Sequence, residues 1–414
     1  MAARVSDFVW TTIEQAFEYS NTHKDSIPAS RSLFDFFRDK VAERGDLSPP
    51  DKEACLEASR LWGSYVGDPV ERQSLRFFWL EECIDSSIFV FYGVLLYVFS
   101  NLHAGNCFVS STYKRILAHI SKAALQHAEI RYNQPVVGIE APPRQEPGTG
   151  QVTLTTVDGQ RHSFDEVVVT CPLGWLKQNK SAFTPALPPR LIKAIDSISY
   201  GRLEKIYVTF PKAFWEIQTP PTTDSIRENK AGPTFALFLD PTYTNHPQNT
   251  PWNQECLALT ALPSPHAHPT LLFYTHGPCS THIISTLRNH PPTSPEYNKT
   301  LTTFLYPFYS RLPGYSRTSP TCQPLAFHAT QWQNDQYAGN GSYSNFQVGL
   351  EEGDRDIEAL RDGEGVERGV WFAGEHTAPV VALGTTTGAY WSGERVAGSI
   401  CGVYGLDRLR SGGR

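Results

Sequence analysis

No two of the eight cysteines stand at C-x-x-C spacing. That removes the usual zinc-ribbon and dithiol redox motifs and gives no disulfide framework. A reducing compartment is the default for such a chain, and a cytoplasmic location is expected. Basic runs are missing too: 36 Lys and Arg against 42 Asp and Glu leave a net charge of −6. This balance argues against a nucleic-acid partner. The longest apolar run, Ile88–Ser100, is shorter than the ~20 residues a membrane helix requires. Its mixture of aromatic and β-branched residues gives no clean helical face, so no membrane span is expected. The N-terminal stretch carries Asp7 and Glu14 and lacks the long apolar core of a secretory signal. The final SGGR is not a peroxisomal tripeptide. There is no internal repeat and no heptad series. There is also no G-x-G-x-x-G between a strand and a helix, since EPGTGQ and DGEGVERG have the wrong glycine spacing.

What remains is a globular composition. The chain has 414 residues, 40% hydrophobic and 12% aromatic, which suffices for a large core and two domains. Leu33, Phe36, Phe37 and Val41 share one helical face, and Cys55, Ala58 and Trp62 mark another helix after Pro49-Pro50. Tyr113, Ile116, Leu117, Ile120 and Ala124 make a third apolar stripe. Short strands are expected at Glu129–Tyr132, Val136–Glu140, Gln151–Thr156 and Arg161–Phe164, the last two joined by an Asp158-Gly159 hairpin signal. The apolar run Glu166–Thr170 reads as a buried strand, and GEGVERG as a loop before the final strand.

The most informative segment is Val370–Ile400. A strand at Val370–Phe372 runs into Gly-Glu-His-Thr, and a Gly/Thr-rich turn opens a helix at Thr386. Along that helix Ala389, Gly393, Ala397 and Ile400 form a side small enough for a backbone or flat ring to approach. Its N-terminus offers unpaired N–H groups and a positive dipole end, suited to pyrophosphate or an electron-rich ring edge. Three more segments accompany it in order: VVVTCPLGWL at Val167–Leu176, followed by FTPALPPRLIKAI; LEKIYVTFPKAFW at Leu203–Trp215; and WQNDQYAGNGSYSNF at Trp332–Phe346. Together these resemble the flavin amine oxidases, polyamine oxidases among them, from about Arg31 to Gly402.

The resemblance implies a mixed α/β fold in two domains: an FAD-binding domain, its sheet incomplete here, and a substrate domain of mixed sheet and helices. Residues 1–105 would be the helical part of the substrate domain, with 85–104 an insertion between FFWLEECI and GNCFVSSTYKRIL. Residues 106–178 would be the middle of the FAD domain, 179–330 the substrate domain proper, and 331–414 the C-terminal FAD portion. The implied chemistry is FAD-dependent oxidation of an amine, such as a polyamine or related secondary amine, to an imine, with O2 reduced to hydrogen peroxide. Amine and O2 are the expected small-molecule partners. The cofactor carries the reaction and the protein orients it.

By the same resemblance, Lys205 is the catalytic residue, holding a water against flavin N5. Trp332 and Tyr343 form an aromatic wall, the first beside the cofactor and the second toward the substrate. Glu375 lies near the ribityl chain, and Thr386, Thr387 and Gly388 present N–H groups to the pyrimidine edge. Val136 and Thr170 lie along the adenosine half. Thr385 occupies a substrate-side position that some polyamine oxidases fill with an aromatic. His376 orients its loop. No metal site is expected.

The family's opening strand, G-x-G-x-x-G turn and helix have no counterpart here, and Met1 falls where the family is already in its substrate domain. The pyrophosphate cradle is therefore expected to be missing, which leaves a second reading: a truncated relative without flavin that is catalytically inactive. A third, a histone-demethylase-like chromatin enzyme, would need a long coiled-coil insertion, against which the lack of heptads argues.

Overall fold

The computed structural model describes residues 2–85, 109, 112–218, 230–247, 252–378 and 382–406. The expected insertion at 85–104 lies outside these beyond Asp85. The chain forms mixed α/β structure in two compact units: Met1–Trp79 with Cys171–Gln178 and Asp196–Asp354, and Leu80–Thr170 with Asn179–Ile195 and Arg355–Arg414.

In the first unit, helices at Ala2–His23, Leu33–Glu43 and Pro49–Ser59 pack together. The second begins with a capping box: Ser32 Oγ accepts from the Asp35 N–H, and Asp35 accepts from the Ser32 N–H. Its buried residues are Leu33, Phe36, Phe37 and Val41, the face expected from spacing. Cys55 and Ala58 are likewise buried, and Trp62 follows in a 3-10 turn. A five-stranded sheet runs in the spatial order Phe235–Phe238, Gln254–Ala258, Thr270–Thr275, Glu204–Thr209, Ala326–Ala329. Alternation decides its faces: Ile206 and Val208 go into a core with Phe273, Trp215, Phe308 and Tyr309, while Lys205 and Tyr207 point to the other side. The helices Gly277–Leu287 and Pro295–Tyr309 supply the rest of that core.

The second unit holds a four-stranded sheet, Arg161–Phe164, Val152–Thr156, Val136–Glu140 and Phe183–Thr184 in order, and a parallel pair, Val167–Val169 with Val370–Phe372. The Asp158-Gly159 hairpin forms as read. Glu166 clamps the parallel pair: it accepts from Arg144 Nη1 at 2.7 Å, Trp371 Nε1 at 2.7 Å and the Tyr404 hydroxyl at 2.9 Å.

Three expectations need correction, and a fourth feature is refined. Glu129–Tyr132 is not a strand. Tyr132 is 77% exposed, and no neighbouring strand among the described residues takes the segment's hydrogen bonds. The helix at Lys114–Leu125 does form, but its apolar stripe is not core, with Leu117 60% exposed. GEGVERG is not all loop: Gly365–Arg368 makes a helical turn, pinned because buried Arg368 donates to Glu364 and to the carbonyls of Ala141 and Pro185. Along Thr386–Val403 the buried positions are Gly388, Ser392 and Val396. The small side, Ala389, Gly393, Ala397 and Ile400, is half-buried to exposed, which leaves it free for a backbone or ring to approach as expected, and a Cβ on Gly393 would meet nothing within 4 Å.

The units also differ from the sequence boundaries. Residues 331–354 join the first because Ser344–Asn345 pairs with Ser199–Tyr200. Residues 179–195 join the second because Phe183–Thr184 extends the Val136–Glu140 strand. Among the described residues no helix is long and apolar enough to cross a membrane.

Candidate functional site

In the first unit the candidate site residues are grouped around Lys205. Its strand is held on one side by Thr270–Thr275, where Tyr274 lies directly opposite, and on the other by Ala326–Ala329. The Lys205 ammonium sits 5.5 Å from the centre of the Tyr274 ring. Just beyond, the Thr330 hydroxyl accepts from the Lys205 N–H at 2.9 Å, and buried Glu204 takes the Gln333 N–H at 3.0 Å and the Thr330 hydroxyl at 2.5 Å. Glu204 and Thr330 thus tie the Trp332 turn to the lysine's strand. Trp332, 48% exposed, lines a cleft of 970 Å³ with His328 and Thr330.

Tyr343 lies at the other end of the same segment. Its carbonyl accepts from the Gly201 N–H, and its hydroxyl donates to the Tyr65 carbonyl. The short helix Gly63–Val66 that carries Tyr65 is fixed by Asp68, which is 1% exposed. Asp68 Oδ1 accepts from Arg202 Nη2 at 2.6 Å, and Oδ2 from Asn345 at 3.0 Å and Gln347 at 2.9 Å. Gly67 closes the helix at φ +86, where a Cβ would stand 2.7 Å from the Arg202 nitrogen, so a side chain is excluded.

In the second unit the parallel strands end side by side: Thr170 follows one and Ala373–Gly374–Glu375 the other. Ligands bind at the carboxyl ends of parallel strands. Val136 begins its strand opposite Thr156 and is half-buried. Thr385 caps the Thr386–Val403 helix, its hydroxyl accepting from the Gly388 N–H at 2.9 Å. The N–H expected from Gly388 is therefore already used, and Gly388 serves as packing: a Cβ there would lie 1.9 Å from the Ala382 carbonyl oxygen. Thr386 and Thr387 are exposed, with first-turn N–H groups that have no intrahelical acceptor. Among the described residues no cluster of three or more His, Cys, Asp or Glu could hold a metal.

Sequence reasoning passed over buried His276 and Glu255 and gave His376 only the role of orienting its loop. Among the described residues His376 has no hydrogen-bond partner on either ring nitrogen, and burial lowers its pKa to about 4. His276 lies against Gly63, whose Cβ would meet its ring at 2.3 Å, and burial also lowers it to about 4 despite Asp68 and Glu71 nearby. Both are neutral at pH 7. The unfolded chain takes up these protons near pH 6.5 and the folded chain only near 4, so stability is lost as pH falls through that window. Each is expected to cost about 3 kcal/mol below pH 4. Urea titrations at pH 7 and 4.5 check this: His376→Phe should remove about half of the two-histidine difference, and an unchanged pH dependence would refute it. Glu255, on the Gln254–Ala258 strand, is pushed up to about 7 by burial.

Residues 67–276 and 308–401 match the profile for flavin containing amine oxidoreductases. The chain belongs to this family. FAD is the cofactor that membership of the flavin-containing amine oxidoreductases carries. The human peroxisomal N(1)-acetyl-spermine/spermidine oxidase is 28% identical over 270 residues, 62% of this chain and 46% of that protein. The lysine-specific histone demethylase 1 homolog 2 of Oryza sativa subsp. japonica is 28% identical over 268 residues, 64% of this chain and 30% of that protein. The chain thus spans less than half the length of these relatives. In fold it is similar to cyclohexylamine oxidase from Brevibacterium oxydans IH-35A, with a TM-score of 0.57 at 16% identity, covering 94% of this chain and 75% of that one.

Proposed function

We propose that this protein oxidises an aliphatic amine, a polyamine or related secondary amine, to an imine, with O2 reduced to hydrogen peroxide. The observation that carries the reading is the placement of Lys205. It stands half-buried on the sheet face away from the core, beside Tyr274, with the Trp332 turn anchored at one end of the Trp332–Phe346 segment and Tyr343 near the other. When bound, FAD supplies the two-electron chemistry. Lys205 would hold the water that serves reoxidation or imine hydrolysis. Trp332 and Tyr343 would bound a slot for the substrate's methylenes, since aromatic faces accept both apolar carbon and a cationic nitrogen.

The residues fit the cofactor on their own terms. Thr386 and Thr387 offer N–H groups at a helix start capped by Thr385, Thr170 and Glu375 stand at adjacent strand ends, and Val136 lies on the neighbouring sheet. A second reading is a relative that holds no flavin and is inactive. Visible absorbance of the purified protein separates the two.

Peroxide release across a substrate panel tests the amine. Long aliphatic di- and polyamines are expected to exceed benzylamine by about tenfold in kcat/KM, the order of a modest pocket preference. The slot is aromatic on the Trp332 and Tyr343 sides, but Thr385 adds no further ring. Faster oxidation of benzylamine would overturn this assignment.

A further inference from the structure

We infer that Glu255 reads a second cationic nitrogen on the amine substrate, several methylenes from the end that is oxidised. The inference rests on the amine-oxidation reading above and adds to it the residue that binds the second nitrogen. Strand register carries it. Glu255 pairs with Tyr274, and Tyr274 pairs with Lys205, across three adjacent strands. Directly opposed residues project to the same face. At strand spacings of ~4.8 Å, the Cα atoms of Glu255 and Lys205 lie about 10 Å apart, with the Tyr274 ring between them.

Glu255 is also under-partnered for a carboxylate that is only 6% exposed. Its Oε2 accepts from Ser64 Oγ at 3.0 Å, but that hydroxyl lies 2.8 Å from the Leu61 carbonyl as well. A hydroxyl has one proton, so Glu255 receives at most a share of it. Among the described residues no Lys, Arg or His forms an ion pair with Glu255. A buried carboxylate in that state is stabilised by an arriving ammonium, and hydrogen bonds to charged groups are the stronger ones. Ser64 and Tyr65 are consecutive residues of one short helix, and Tyr65 is the acceptor of the Tyr343 hydroxyl. The carboxylate and the expected aromatic wall therefore share one support.

The pH behaviour follows from the same geometry. The titratable groups on this face are Lys205 and Tyr207 on one strand, Tyr274 and His276 on and just after the next, and His328 beyond. His276 is neutral at pH 7, and burial pushes Tyr274 up to about 12. Burial holds the Glu255 carboxyl partly protonated near neutrality, with a pKa of about 7. Affinity for a second cationic nitrogen should then rise with pH through 7, while affinity for a monoamine should show no such step.

Equilibrium calorimetry on the full chain with 1,4-diaminobutane and n-butylamine tests this without turnover. At pH 8 the diamine is expected to bind about 10–100-fold more tightly, the range of one charged hydrogen bond. E255Q should remove most of that difference and abolish the step near pH 7. Gln keeps the Ser64 contact and removes a buried charge, so the variant should unfold at the same denaturant concentration as the parent. Should it unfold earlier, S64A serves instead. The Ser64 hydroxyl lowers the Glu255 pKa, so its loss should move the pH step upward. A diamine preference that survives E255Q unchanged, or a parent with no preference, refutes the role of Glu255 while leaving amine oxidation standing. If neither amine binds and no amine is oxidised, both readings fall.

Discussion

Replacing Asp68 with Ala should lower the unfolding free energy by about 3–5 kcal/mol, the cost of stranding one partner of a buried charged pair. Asp68 binds the Arg202 guanidinium through one oxygen and the Asn345 and Gln347 amides through the other. Its own carbonyl takes the Gln73 amide at 2.8 Å. Removing the carboxylate leaves the Arg202 guanidinium without its Asp68 acceptor and takes one acceptor from each amide, with Asn345 keeping the Val66 carbonyl at 3.0 Å and Gln347 the Asn345 side-chain oxygen at 3.4 Å. Chemical denaturation gives the number, and a loss below about 1 kcal/mol would show that these contacts are replaceable. The same change should raise KM, because Asp68 fixes the short helix that bears Ser64 and Tyr65.

Lys205→Met should slow amine turnover by about 100-fold, the lower end for a lost proton-handling group, with bound flavin unchanged. Met has similar reach and can still lie along the Tyr274 ring. The strand itself is held by backbone pairing on both edges, so folding should be spared. Single-turnover absorbance separates flavin reduction from reoxidation and shows which step carries the loss. Turnover equal to the parent's would remove Lys205 from the chemistry.

Legibility in the sequence followed the physical signal. Helical periods at Leu33–Val41 and the short strands Val136–Glu140 and Arg161–Phe164 are properties of short segments, and all formed as read. Burial depends on what packs against an element, which is why the Lys114–Leu125 stripe was legible as a helix but not as a surface. The helix after Thr385 shows a finer version. Its start was readable from the Gly/Thr-rich turn, yet the Thr385 hydroxyl takes the Gly388 N–H that the resemblance assigned to the cofactor. Glu255 left no local mark, since its position opposite Tyr274 is set by strand pairing. A glutamate inside an otherwise apolar strand pattern, QECLA, was the available hint.

The Asp68 hub joins residues 277 positions apart in the chain. At synthesis rates of ~5–20 residues per second, Asn345 reaches the ribosome exit roughly 15–55 s after Asp68. For that interval the short helix bearing Tyr65 has neither its amide partners nor the Tyr343 hydroxyl. The first unit therefore closes late, with its N-terminal helices made long before the segment that locks them. Its folding depends more on how long that nascent surface stays protected than on how fast any one helix forms.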